Sequence, residues 1–365
     1  MWRLRAALSL GLVLLAGCTA LPAAPTVPDA LEVGTPRTVF AATTRAERPD
    51  RTFGPGRSRR LSHLELTVSI PPLRRPGSLI PADGTPDPRT QFAIAERRRF
   101  PDAESFTRRL RAEARRTGGG HDATVFVHGF NATLPKTAFR AAQLAQDIGL
   151  PGATVIYSWP SQGSPLGYAY DADSVLFARD GLEQLLLQIR AAGFRRTVLV
   201  AHSLGAQLTM EALRQIEIKS PGWAAENLGG VILMSPDLDI DVFKSQIAQF
   251  RTVPQPFLIF VSRSDKVLTL SQGLRGRRSG ERLGNLGSLD RIAHLPVEVI
   301  DTTAYADSAE SGHFVAATSP ALIALLSAAR ATAQAFGREA GAAQLLPARA
   351  ERRGRAVQLS LSGSQ

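Results

Sequence analysis

The stretch TVLVAHSLGAQLTMEAL, residues 197–213, decides how the rest of the chain is read. An apolar run from Thr197 to Ala201 enters a His-Ser-Leu-Gly turn, and a helical pattern follows at once. A short continuous apolar run bounded by a turn reads as a buried strand. Ser203 therefore stands at the tight bend between a strand and a helix. It either caps that helix or is held there to attack a substrate. Ala201-His202-Ser203-Leu204-Gly205 fits the nucleophile-elbow pattern with alanine in the first glycine position. The pattern needs small residues two before and two after the serine, because strand and helix approach closely there. Alanine meets that need, though more tightly than glycine.

The surrounding sequence has the rhythm this turn requires. From residue 122 onward apolar runs alternate with helix-length stretches: TVFVHG (124–129), TVIYSW (154–159), TVLVAH (197–202), GVILMS (230–235), PFLIFVS (256–262) and VEVIDT (297–302). Strands apolar throughout, with helices between them, predict a mostly parallel sheet covered on both faces, an α/β fold. Upstream, RTVFAATTR (37–45) and LSHLELTVSI (61–70) are candidate strands, with a Gly-, Pro- and Arg-rich loop between them. The charged stretch around 103–116 is a candidate surface helix.

Four further expectations concern the site. The base for Ser203 is His313, in DSAESGHFVAATSP, because it follows the last strand and precedes a helix. His202 reads as structural. His63 and His121 lie in segments without catalytic context, and His294 precedes the last strand. The orienting acid should fall between serine and histidine in chain order. Asp265, ending FLIFVSRSD, is the first choice, and Asp237, in SPDLDID, is the runner-up. Two backbone amides, of Phe130 after an early strand and of Leu204 after the nucleophile, are the expected oxyanion donors. Gly129 permits that turn and His128 braces it. Pocket candidates are His128, Gly129, Trp159 and Tyr168, with Trp159 equally readable as the close of its strand. The insertion SQGLRGRRSGERLGNLGSLD (271–290) is either a cationic rim or a solvated loop.

The N-terminus, MWRLRAALSLGLVLLAGCTA, has two arginines, an apolar core and then small residues, the layout of a secretory signal. Its Leu-Ala-Gly-Cys ending is similar to a bacterial lipoprotein box, which makes Cys18 the lipidated residue and residues 1–17 the removed leader. Thr19 after the cysteine points to the outer membrane, facing the periplasm. Residues 18–36 read as a tether, 37–330 as the catalytic domain, and 331–365 as a mobile Ala- and Arg-rich tail.

Charge adds less than its size suggests. The formal net charge is +11, and only four of the 43 basic residues are lysine. The leader holds two of those charges and the tail a net three, leaving +6 on the body. No basic stripe is interleaved with aromatics, so nucleic acid is not an expected partner. With one cysteine, Cys18, the chain forms no internal disulfide. No cluster has metal-ligand spacing and no glycine loop cradles phosphate, so no cofactor is implied.

Beyond these residue-level readings, VFVHGFNAT, RAAQLAQDIG, YSWPSQGSPLGYAYDADS, VAHSLGAQ, SPDLDIDVF and VSRSDKVL together resemble a bacterial alpha/beta-hydrolase family catalogued as domain of unknown function nine hundred. VFAATTR, FGPGRS and VSIPPLRRPG extend the resemblance to residues 38–330, and the Ser-Trp-Pro segment is its most specific mark. It implies the alpha/beta-hydrolase fold, a Ser–Asp–His hydrolase and, often, secretion or lipid anchoring. Members carry Met-Gly-Asn after the serine where this chain has Leu204-Gly205-Ala206. The expected function is a lipid-anchored carboxylic ester hydrolase, esterase- or lipase-like, with a small-molecule or lipid ester as substrate. An acyltransferase on the same triad and a non-catalytic envelope binding protein remain open alternatives.

Overall fold

Six strands with apolar centres form the middle of one sheet: β4 (Asp122–Val127), β5 (Ala153–Ser158), β6 (Arg196–His202), β7 (Leu228–Met234), β8 (Phe257–Val261) and β9 (Glu298–Asp301). All run parallel, as their near-complete burial demands. A meander of β1 (Thr35–Glu47), β2 (Phe53–Ile70) and β3 (Ala93–Phe100) extends one edge. Within it β1 pairs parallel with β5, and β2 and β3 follow antiparallel. At the other edge stand β10 (Ala348–Arg353) and β11 (Ala356–Leu361). The eleven strands lie in the order β10-β11-β9-β8-β7-β6-β4-β5-β1-β2-β3. This computed structural model describes residues 24–116, 122–274, 280–286, 289–310, 312–335 and 348–361. Cys18, residues 1–17 and His121 lie outside them.

Alternate side chains of each central strand enter opposite cores, which is the period-two geometry of a strand buried on both faces. Val125, Leu199, Leu233, Ile259 and Val299 join one core, while Phe126, Val200, Met234, Phe260 and Ile300 join the other. The first is covered by α1 (Ala103–Arg116), α3 (Tyr168–Ala191), α4 (Leu204–Lys219) and α6 (Ile240–Ile247). The second is covered by α2 (Leu134–Asp147) and α9 (Pro320–Ala335). Between these lie the short α5 (Trp223–Asn227), α7 (Lys266–Leu274) and α8 (Val315–Thr318).

Three sequence expectations need correction. The Gly-, Pro- and Arg-rich segment after residue 45 is mostly strand, because β2 starts at Phe53 and pairs with β1 through a register shift that absorbs its irregularity. The tether is docked over its described part. The Val27 amide donates to the Ile94 carbonyl (2.8 Å), and Ala30 is fully buried. Ala30 packs there, while Pro25 and Pro28 stay exposed. The described part of the tail is docked too. AVQLSL alternates well enough to pair β11 in parallel with β9, burying Ala356 and Leu359. Among the described residues, no helix is long and apolar enough to cross a membrane.

Candidate active site

The bend at Ser203 is strained in the way a nucleophile elbow requires. Its φ of 53° and ψ of −125° lie in territory unfavourable to a residue with a side chain, and its hydroxyl makes no helix cap. The backbone is held instead by its neighbours, with the Ser203 amide donating to the Met234 carbonyl (3.1 Å). Closeness of approach explains the glycines. A Cβ on Gly205 would fall 2.2 Å from the His128 carbonyl oxygen, and one on Gly129 would fall 2.7 Å from Ser203 Cβ. The β4–α2 turn therefore lies directly against the elbow, bringing Phe130 and Leu204 to the same edge of the sheet.

His313 lies beside this bend, its ring 4.8 Å from that of His202. Its Nδ1 donates to Asp265 Oδ2 (2.7 Å), and Asp265 is almost wholly buried. With Nδ1 committed, Nε2 remains for proton transfer. Asp265 also accepts from the Val267 and Leu268 amides at the start of α7 (3.0 and 3.1 Å), which fixes the carboxylate. His202 supports the arrangement from below. It stacks on Phe314, with centroids 3.7 Å apart, and its Nε2 donates to the His313 carbonyl (3.3 Å). Burial, then the nearby His313, holds its pKa well below the usual histidine range, so it is neutral. His63, at Gln188, and the exposed His294 stand apart.

Asp237 does not contact His313. Buried, it accepts from the Tyr168 hydroxyl (2.7 Å) and the Ser271 hydroxyl (3.0 Å), with Arg282 Nε at 3.3 Å. Two neighbouring strands end in aspartates, and only the turn after β8 aims its carboxylate at the histidine. That turn is a tertiary fact, which spacing alone leaves open. The Arg282 contact also corrects the solvated-loop reading of 271–290 over residues 280–286. Leu283 and Leu286 are buried, and the Leu283 amide donates to the Leu238 carbonyl (2.9 Å). Residues 275–279 and 287–288 lie outside the described residues.

The turn carrying Phe130 is braced by residues sequence reading missed. Arg45, at the end of β1, is fully buried and donates to Ser158 Oγ (2.9 Å), the Ser161 carbonyl (2.8 Å) and the Ala132 carbonyl (2.6 Å). Asp171 accepts from Ser161 Oγ (2.5 Å) and from the Gln162 and Asn131 amides (2.6 and 3.3 Å). Burial lowers the Arg45 pKa to about 10, partly offset by Asp171, so it stays cationic at neutral pH. Burial raises that of Asp171. His128 is buried beside this cation, and its pKa is pushed down to about 3. A neutral His128 with Nδ1–H donates to the Gly129 carbonyl (2.8 Å) and leaves Nε2 to accept from Arg45 Nη2 (3.5 Å). The Trp159 carbonyl at 3.2 Å from Nε2 is then a neighbour and not a partner. Arg45 follows a strand as any surface arginine would, and no local signal reveals its burial.

Trp159, offered as a pocket wall, is fully buried and is not among the residues that line the cavity beside the elbow. It stacks on His128 (4.8 Å) and donates from Nε1 to the His128 carbonyl (2.7 Å). An indole N–H needs an acceptor once buried, and this one braces the turn. Tyr168 packs edge-on against Phe130 (5.6 Å). His128, Gly129 and Phe130 do border a cavity of about 700 Å³, along with His202 and Phe314.

The sequence matches the family described as alpha/beta hydrolase of unknown function (DUF900) over residues 102–330, and the chain belongs to it. The match begins after β3, so the meander to which the motifs extended the resemblance lies outside it. Among solved structures, the chain is similar to Aspergillus fumigatus lipase B, at 16% identity over 64% of this chain and TM-score 0.36. It spans 59% of that lipase's length. It is also similar to fungal esterases of Rhizomucor miehei, at 13% identity over 85% of this chain and 86% of that chain, TM-score 0.33. A third is an esterase of Pyrococcus furiosus, at 10% identity over 77% and 86%, TM-score 0.31. No curated protein sequence matches.

Proposed function

We propose that the chain is a serine hydrolase of carboxylic esters, with Ser203 as nucleophile, His313 as base and Asp265 as the group that orients His313. The carrying observation is the strained Ser203 backbone beside the Asp265–His313 hydrogen bond. His313 Nε2 takes the hydroxyl proton as Oγ bonds to the ester carbonyl carbon. The Phe130 and Leu204 amides donate to the oxyanion that forms. Collapse breaks the bond to the alkoxy group, which leaves with the proton from His313. Water, deprotonated by the same Nε2, then releases the acid and restores Ser203. Asp265 keeps Nδ1 protonated and balances the imidazolium.

We also propose that Cys18 anchors the mature chain in the envelope through lipid. Ala24, six residues on, lines the cavity beside the elbow, so the anchor holds that mouth within about 20 Å of the bilayer.

Fluorophosphonate labelling of the chain from Cys18 onward, with mass mapping and a Ser203→Ala control, tests the mechanism. Labelling at Ser203 that vanishes in the variant is expected. Absence of labelling from well-folded protein would move the reading to a binding protein.

A further inference from the structure

We propose that the cavity beside the elbow is an acyl-chain site, which makes the substrate class long-chain acyl esters drawn from a lipid–water interface. This rests on the hydrolase reading and adds what that reading leaves open, the chemistry of the acyl group.

The cavity lies between the loop of residues 71–92, the start of β3 and α2, and its volume of about 700 Å³ is in the range of ligand pockets, roughly 300–1,000 Å³. Its lining is mixed, with Lys136, Arg140 and three threonines among it. Leu79, Phe92, Ile94, Phe126 and Phe139 make an apolar wall, whereas Gly129 and His202 mark the end against Ser203. A molecule filling it has one long apolar arm and one reactive polar end. Placing that end at Ser203 points the arm away under the 71–92 loop. Each methylene buried there raises affinity about fourfold.

The wall is built, not draped. Arg74 donates from Nη1 to Asp147 Oδ2 (3.0 Å), and the Gly77 amide donates to the same oxygen (2.8 Å). Arg140 Nη1 reaches the Gly77 carbonyl (3.0 Å), clamping the loop onto α2. The cation lies over the Phe314 ring at 5.3 Å, tying the clamp to the residue after His313. A cavity whose far wall is pinned by a largely buried ion pair holds its volume without a ligand.

An independent observation concerns the rim. Large apolar side chains stand in water on the side reached by the C-terminal ends of the strands. Leu166, before α3, is 96% exposed, Leu270 in α7 is 64% exposed, and Ile80, itself lining the cavity, is 48% exposed. Val267 joins them on the first turn of α7. Scattered exposed leucines need no explanation. Ile80 puts exposed apolar surface at the mouth itself, where an apolar phase would meet it.

The test compares kcat/KM on p-nitrophenyl acetate and p-nitrophenyl laurate for the wild type and for Leu79→Trp, which fills the cavity from its loop side. Wild type should prefer laurate, and Leu79→Trp should lower the laurate-to-acetate ratio about tenfold or more. Laurate binding to Ser203→Ala, followed by calorimetry, gives a readout that needs no turnover. One saturable site is expected, lost when Leu79→Trp is added. Fluorophosphonate labelling with a flat chain-length profile and no laurate binding would overturn the acyl-chain site while leaving the hydrolase intact. Laurate binding that Leu79→Trp abolishes, in a protein that takes no label, would sustain the site and overturn the hydrolase. Unchanged ratios and unchanged binding in Leu79→Trp would place the chain elsewhere and sink the proposal.

Discussion

The two flanks of the Ser203 elbow are held by different means. On the β8–β9 side, the His313 ring rests on one hydrogen bond to Asp265 and a tilted contact with the His202 ring (4.8 Å), with its side chain 11% exposed. On the β4–β5 side, the turn bearing Phe130 is fixed by a fully buried arginine, a buried aspartate, a neutral histidine and a buried tryptophan. The difference fits the tasks proposed for the two flanks. A base that accepts and returns protons needs a ring with one nitrogen fixed and one open to the reacting atoms. Amides that stabilise a developing oxyanion act best when no reorganisation is needed, so their turn is locked before substrate arrives.

The largest effect should come from the open flank. Asp265→Asn keeps the shape but presents an amide to Nδ1, favouring the wrong tautomer, and kcat for ester hydrolysis should fall by about 10⁴. Asp237→Asn is the paired control and should leave kcat within about tenfold, since its partners are Tyr168, Ser271 and Arg282. Equal losses would exchange the two aspartates' roles.

Gly129→Ala tests the contact between the flanks. Its Cβ would meet Ser203 Cβ and His202 Nδ1, both at 2.7 Å, so the turn must shift. Displacing an oxyanion donor should lower kcat about 10²–10³-fold. A variant as active as wild type would mean the turn's amide takes no part.

Arg45→Met separates rigidity from chemistry. It leaves the buried Asp171 without its cation, so unfolding in urea should show a loss of about 3–5 kcal/mol. Adding Asp171→Asn should recover part of it. A loss below about 1 kcal/mol would show that the locked flank does not depend on this pair.

Acid titration reaches the same flank through His128. Its pKa is about 3 folded against 6.5 unfolded, so below 6.5 the unfolded chain binds the extra proton. Stability contributed by the neutral ring is complete above pH 6.5 and declines by about 1.4 kcal/mol per unit as pH falls toward 3. Melting curves of wild type and His128→Asn at pH 7 and at pH 5 should show the steeper acid loss in wild type. Parallel losses would indicate that His128 is already protonated in the folded protein.

Tyr168→Phe should have the smallest effect. It removes one hydrogen bond to Asp237 while keeping the ring on Phe130, so the cost is about 1 kcal/mol in stability, with kcat little changed. A large fall in kcat would draw Tyr168 into the chemistry.

Sequence by itself determined what short-range physics encodes. Runs such as TVFV and TVLVA must be strands buried on both faces, and the small residues around Ser203 mark where strand and helix nearly touch. Chain order then narrowed the acid to Asp265 or Asp237 and chose His313. Three things depended on the tertiary structure. The choice between the aspartates turns on how the loop after β8 approaches His313. The last strand needed the edge of β9 before AVQLSL had a partner. Arg45, Asp171 and Trp159 acquired their places only when the turns after β1, β4 and β5 met, because the burial of a charge or an indole is set by what surrounds it and not by its neighbours in the chain.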